Sequence, residues 1–193
     1  MIVSNDKIIL AGIPRCGTTV MARALAGLPC NKVWPRIRTR LTETNGVLKT
    51  HEPFSDDLVS GYDRAVFIFG DIVLAVLSLV RGRGDEVSRR ILGIPRCADV
   101  SDLMSSDRAG LMAIFNSWKR PTIPTLRIRY ETMWDHIKEI EKFTGRDLNL
   151  LPPYRRRRSW IERFDSRHVE NVKSTYSELI DEIDKAPDLE VVG

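Results

Sequence analysis

An α/β fold, three layers with a mostly parallel central sheet flanked by helices, is predicted by three observations. Residues 7–28 read as strand, glycine-bounded loop and helix: the apolar run Ile8-Ile9-Leu10-Ala11 stops at Gly12, and Met21, Ala24, Leu25 and Leu28 then recur at helical spacing. Ala65-Val66-Phe67-Ile68-Phe69 is a continuous apolar run of β type, as in a strand buried on both faces. Further strand-like and helix-like segments alternate along the chain, the pattern of parallel strands joined by helical crossovers. No internal repeat or linker divides the 193 residues, so 1–193 is expected to be a single domain.

The first loop, Gly12-Ile13-Pro14-Arg15-Cys16-Gly17-Thr18-Thr19, turns successive N–H groups inward ahead of a helix N-terminus. That arrangement suits a tetrahedral oxyanion such as phosphate or sulfate. Gly12 and Gly17 have the G-x-x-x-x-G spacing of a Walker A loop, and Thr19 stands at its Ser/Thr position, but Thr18 occupies the place of the lysine. An ordinary ATPase or kinase would lack its main phosphate-binding charge here. Arg15 is the nearest cation within the loop and can donate two hydrogen bonds to one anion.

Arg36, Arg38 and Arg40 alternate with Ile37, Thr39 and Leu41, which places them on one face of a strand or along a basic loop rim, either a solvated edge or an anion-binding surface. Thr44-Asn45-Gly46 signals a turn, and Val47-Leu48 begins a short strand that Pro53 must end. Lys49, Thr50 and His51 therefore fall at a strand's C-terminal end, where open parallel sheets bind ligands. After the strand at 65–69, Gly70-Asp71 leads into a run from Ile72 to Val80 that is apolar nearly all round. This reads as a helix packed deeply on the sheet, with Asp71 as its N-cap or first-turn acid and Ser78 inside it. Residues 81–104 are mixed in polarity and read as an excursion from the core.

Ser105-Ser106-Asp107 can cap a helix that carries Leu111, Met112, Phe115 and Trp118 on one stripe and ends at Pro121. Residues 125–130 alternate at period two as a further strand. Met133, Ile137, Ile140 and Phe143 form the next helical stripe, with Gly145 as its C′ residue. Pro152-Pro153 breaks the chain before Tyr154 and the basic run Arg155, Arg156, Arg157 and Arg158. One final helix carries Val169, Val172, Tyr176, Leu179 and Ile183, and residues 186–193 are expected to fray.

Hydrophobic residues at 42% and charged residues at 29% are ordinary for a soluble globular chain and argue against extensive disorder. The net charge of +4 favours anionic ligands without naming one. Cys16, Cys30 and Cys97 are an odd set without metal-ligand spacing, so neither a disulfide framework nor a metal site is expected. The N-terminus lacks a signal-peptide pattern and no apolar run reaches 18 residues, which points to a cytoplasmic protein away from membranes. A nucleic-acid role for residues 155–158 with Trp160 is the weakest reading, since one short basic run without an aromatic series makes no recognised module.

Four separated pieces, in their order, resemble the sulfotransferase family, enzymes that move a sulfuryl group from 3′-phosphoadenosine 5′-phosphosulfate (PAPS). Residues 12–19 look like that family's 5′-phosphosulfate loop, with Cys16 where serine is common. Lys49-Thr50-His51 resembles the segment that carries the base, residues 67–78 the 3′-phosphate segment ending in Ser78, and Arg129-Tyr130-Glu131 a Tyr-Glu element after a later strand. The resemblance covers about residues 7–145. It implies a P-loop NTPase-like fold and PAPS as co-substrate with no metal. It also implies a donor site of Pro14, Arg15, Cys16, Gly17, Thr18, Thr19, Ser78, Tyr130, Arg155 and Arg156, and a small-molecule or carbohydrate acceptor. His51 would be general base, with Lys49 and Arg15 neutralising charge on the leaving phosphate. Two departures stand out: Gly70 replaces the arginine and Ile72 the proline of the 3′-phosphate segment, so a cation for that phosphate would have to come from Arg81 or from residues 155–158. The competing reading is a non-catalytic or altered nucleotide binder of the same fold.

Overall fold

The computed structural model describes residues 6–29, 42–81, 104–154 and 164–193. Its centre is the strand β1 (Ile8–Gly12), buried throughout. Five apolar or small residues in a row leave this strand no wet face, and it pairs in parallel on both sides. On one side lies β3 (Val47–Lys49) with Leu10 opposite Lys49, and on the other β4 (Arg64–Phe69) with Gly12 opposite Ile68. β5 (Thr125–Arg129) extends the parallel set beyond β4, with Phe69 opposite Arg129.

The sheet has six strands and is mixed, flanked by helices: β2 (Thr42–Thr44) and β6 (Leu189–Val192) close its two edges as antiparallel strands, giving the order β2-β3-β1-β4-β5-β6. β2 exists because Asn45 and Gly46, both at positive φ, form a two-residue hairpin turn that folds it onto β3. β6 overturns the expectation that residues 186–193 fray. Arg127, only 5% exposed, sits on β5 between Phe69 and Phe115, and the carboxylate of Glu190 on β6 meets it. A guanidinium inside the core needs such a partner, and the open ladder of β5 needs a strand; β6 supplies both.

Helices α1 (Thr18–Leu25) after β1, α3 (Ile72–Arg81) after β4, and α4 (Leu111–Ser117) lie where the patterns predict, and a short α2 (Asp56–Val59) precedes β4. α1 packs on β1 and β3. Asp71 accepts a hydrogen bond from the Leu74 N–H at 2.9 Å, capping α3, and Asp107 accepts from the Leu111 and Met112 N–H groups, capping α4. A 3-10 turn at Met133–His136 runs into α5 (Ile137–Thr144), which ends at Gly145 with φ 65°. The final helix is two rather than one: α6 (Ser166–Thr175) and α7 (Ser177–Lys185) meet at Tyr176, whose φ of −109° is not helical. Its apolar stripe survives the break, with Val172, Tyr176, Leu179 and Ile183 all buried. Among the described residues no helix is long and apolar enough to cross a membrane.

Candidate functional site

β1 connects to β3 on one side, and the chain then crosses to β4 on the other, so the strand order reverses beside β1. In an open α/β sheet that reversal leaves a crevice at the strands' C-terminal ends, the usual place for a ligand. Three expected pieces meet there: the loop after Gly12, the Lys49–His51 segment after β3, and the Gly70–Asp71 step after β4.

The loop begins with Gly12 at φ 155°, a conformation L side chains rarely adopt, and a Cβ there would stand 2.3 Å from the Ile68 carbonyl oxygen. Arg15 also has positive φ, 71°, and exposes its side chain. Pro14, Cys16 and Thr18 are buried, and Thr19 is half-buried. Gly17, at φ 74°, caps α1 with no side-chain hydrogen bond and no acid in the first turn. The N–H groups of Thr18 and Thr19 are among those a helix leaves without intrahelical acceptors, so this end of α1 keeps its partial positive charge.

His51 lies two residues past the Lys49–Leu10 register pair, level with Gly12. Its Nδ1 is 2.7 Å from the Gly12 carbonyl oxygen and its Nε2 is 3.0 Å from Lys49 Nζ. A carbonyl only accepts, so Nδ1 carries the proton and donates, which leaves Nε2 as the acceptor of a lysine N–H. The ring is thus neutral, with its free lone pair capped by Lys49. Burial, then the neighbouring Lys49 charge, push the His51 pKa down to about 3, against a smaller upward pull from the Gly12 bond. Burial likewise lowers Lys49 to about 8. The following residues fix the segment: the Phe54 N–H donates to Ser117 Oγ and Trp118 Nε1 donates to the Glu52 carbonyl, both partners belonging to α4 or its C-cap.

The depressed pKa has a stability consequence. Below about pH 6.5 the unfolded histidine takes up a proton that the folded one refuses until about pH 3, so stability falls as pH is lowered through that window. Replacing Lys49 by methionine removes one of the two depressing causes. The His51 pKa is expected to rise while staying below 6.5, measurable from the pH titration of its ring protons by NMR. A value still near 3 would assign the whole effect to burial.

Arg15 Nε donates to Ser78 Oγ at 2.9 Å, joining the loop to the second turn of α3, so these two residues, 63 apart in sequence, share one corner. Tyr130 stands beside the loop. It is 8% exposed, and its ring edge lies against Gly17, where a Cβ would come within 2.3 Å of it. Around it stand Trp134 and Tyr154, with ring centroids 5.3 and 6.1 Å from that of Tyr130, and Tyr154 is 39% exposed. Neither carries a sequence signal for this placement, because Tyr130 precedes the 3-10 turn that holds Trp134 and Tyr154 lies much further along the chain.

The Glu131 carboxylate folds over Gly70. Oε1 accepts the Asp71 N–H at 3.1 Å, and among the described residues Oε2 is buried without a hydrogen-bond partner. Burial raises its pKa above the usual carboxyl range, against hydrogen bonds from backbone N–H groups. Arg155, Arg156 and the other basic residues at 157–158, Arg36, Arg38, Arg40, Cys30, Cys97 and Trp160 lie outside the described residues. Among the described residues no group of three or more His, Cys, Asp or Glu side chains could hold a metal ion. Compared with protein-family models and with curated proteins, the chain matches none.

Proposed function

We propose that the chain is a sulfotransferase that moves a sulfuryl group from a nucleoside phosphosulfate of the PAPS type to a hydroxyl or amine of a small-molecule or carbohydrate acceptor. The observation that carries this reading is the convergence of an uncapped loop-helix N-terminus with a lysine–histidine pair whose only available lone pair is on Nε2. A loop without the Walker lysine but with a lysine and a base on the adjacent strand suits transfer to an external acceptor better than nucleotide hydrolysis.

In this mechanism the loop amides with Thr18 and Thr19 hold the phosphosulfate. An acceptor oxygen attacks sulfur with its lone pair, and the bond from sulfur to the bridging phosphate oxygen breaks in line. The bond's electron pair stays on that oxygen, where Lys49 and Arg15 stabilise the charge. The acceptor proton passes to His51 Nε2. For this Lys49 must leave Nε2, and an arriving anion draws it away. The same negative charge opposes the lysine's effect on the ring, so His51 becomes more basic when the donor is bound. The products are a sulfate ester and the nucleotide without its sulfuryl group. Mass spectrometry of a metabolite and glycan pool incubated with the protein and either PAPS or adenosine 5′-phosphosulfate should reveal a gain of one sulfuryl group. No gain with either donor removes the reading.

A further inference from the structure

We infer that the donor site takes a nucleotide with free ribose hydroxyls, a nucleoside 5′-phosphosulfate or 5′-phosphate, in preference to one carrying a 3′-phosphate. The inference rests on the sulfuryl-transfer reading and names the donor class of that same site.

The ladder between β4 and β5 brings Gly70 and Tyr130 level at the sheet's C-terminal edge, and the Tyr130 N–H donates to the Phe69 carbonyl at 2.7 Å. Because the Tyr130 ring touches Gly17, the residue after it stands on the rim of the loop. That residue is Glu131, and it fills the space a side chain at 70 would occupy. A Cβ on Gly70 would be 2.8 and 2.9 Å from its two carboxylate oxygens. Asp71 is the next residue, and its negative charge acts on Glu131. Arg129, the cation acting on Glu131, has its guanidinium held by Asp188 and by the carbonyls of Ile183 and Ala186 beside β6. Among the described residues the rim beyond the loop therefore carries carboxylates, and just beneath it lies one buried acceptor oxygen lacking a donor.

Once the Glu131 carboxylate turns outward, a ribose hydroxyl can donate to Oε2 and complete its bonding, whereas a phosphate there brings only acceptors and like charge. Dinucleotide sites use the same discrimination: a carboxylate reads the free ribose hydroxyl, and an arginine accommodates the phosphorylated one. Here the carboxylate is present and position 70 holds no arginine. Arg15, the loop's own cation, donates to Ser78 further along α3.

Calorimetric titration of the full chain with adenosine 5′-monophosphate and adenosine 3′,5′-bisphosphate tests this. The monophosphate is expected to bind roughly tenfold or more tightly than the bisphosphate. Glu131→Gln, checked for folding by thermal melting, should narrow that gap by improving bisphosphate binding; if the variant does not fold, the ratio in the unaltered protein decides alone. Equal or tighter binding of the bisphosphate overturns the inference and leaves sulfuryl transfer standing, and loss of that preference in Ser78→Ala would put the 3′-phosphate on the Arg15–Ser78 corner. Binding of neither nucleotide overturns both.

Discussion

His51→Ala is expected to lower turnover in sulfuryl transfer by about 10²–10⁴, with nucleotide binding retained. The ring does two jobs, and the variants separate them. Nδ1 supports the carbonyl of Gly12 at the end of β1, while Nε2 is the only site on the ring able to take a proton from an acceptor. Alanine removes both. Asparagine can keep a donor toward the Gly12 carbonyl without offering a base, so His51→Asn should recover thermal stability lost in His51→Ala and recover no turnover. Steady-state assays with a saturating donor make the comparison, and wild-type turnover in either variant removes His51 from the mechanism.

Gly12→Ala is expected to destabilise the fold by about 3 kcal/mol or more. The added methyl would meet the Ile68 carbonyl oxygen at 2.3 Å and the Ile68 nitrogen at 3.0 Å, in a backbone conformation at φ 155° that alanine avoids. That carbonyl also accepts the Ile13 N–H at 2.9 Å, so relieving the clash pulls β1 from β4 where the loop begins. Gly27→Ala is the matched comparison. Gly27 has φ 66° with nothing within 4 Å of a would-be Cβ, and its replacement should cost only about 1–2 kcal/mol. Urea unfolding of both proteins would show the difference, and equal losses would mean that the close approach to Ile68 is unimportant.

Strands β1 and β4 were legible because burial on both faces leaves an apolar run, β3 from the Asn-Gly turn before it and the proline after it, and β5 from its alternation at period two. β2 and β6 were not. Three or four residues carry no usable period, and each strand depends on its partner: the adjacent hairpin onto β3 for β2, and for β6 the ladder of β5 and the charge of Arg127, both far away in sequence. The break at Tyr176 was equally silent, since the apolar stripe runs through it. In the site, residue types were readable but pairings were not. Lys49 and His51 could be placed at a strand end, whereas the direction of their hydrogen bond depends on the Gly12 carbonyl, 39 residues away from His51. Glu131 was legible as part of a Tyr-Glu element, but its inward turn was not, because a glutamate after a strand looks like surface. Only the missing side chain at Gly70 gives it room to fold inward.

The lysine cap on His51 also fixes a sequence of events. An acceptor that reaches an empty loop finds the ring's one lone pair already committed to Lys49. It can bind, but it cannot lose its proton. In the proposed sulfuryl transfer the base would open only after the nucleotide had drawn the lysine toward its own charge, so productive turnover would run donor first. Under that proposal an acceptor present in excess would act as a brake, by occupying the protein while its base is still capped.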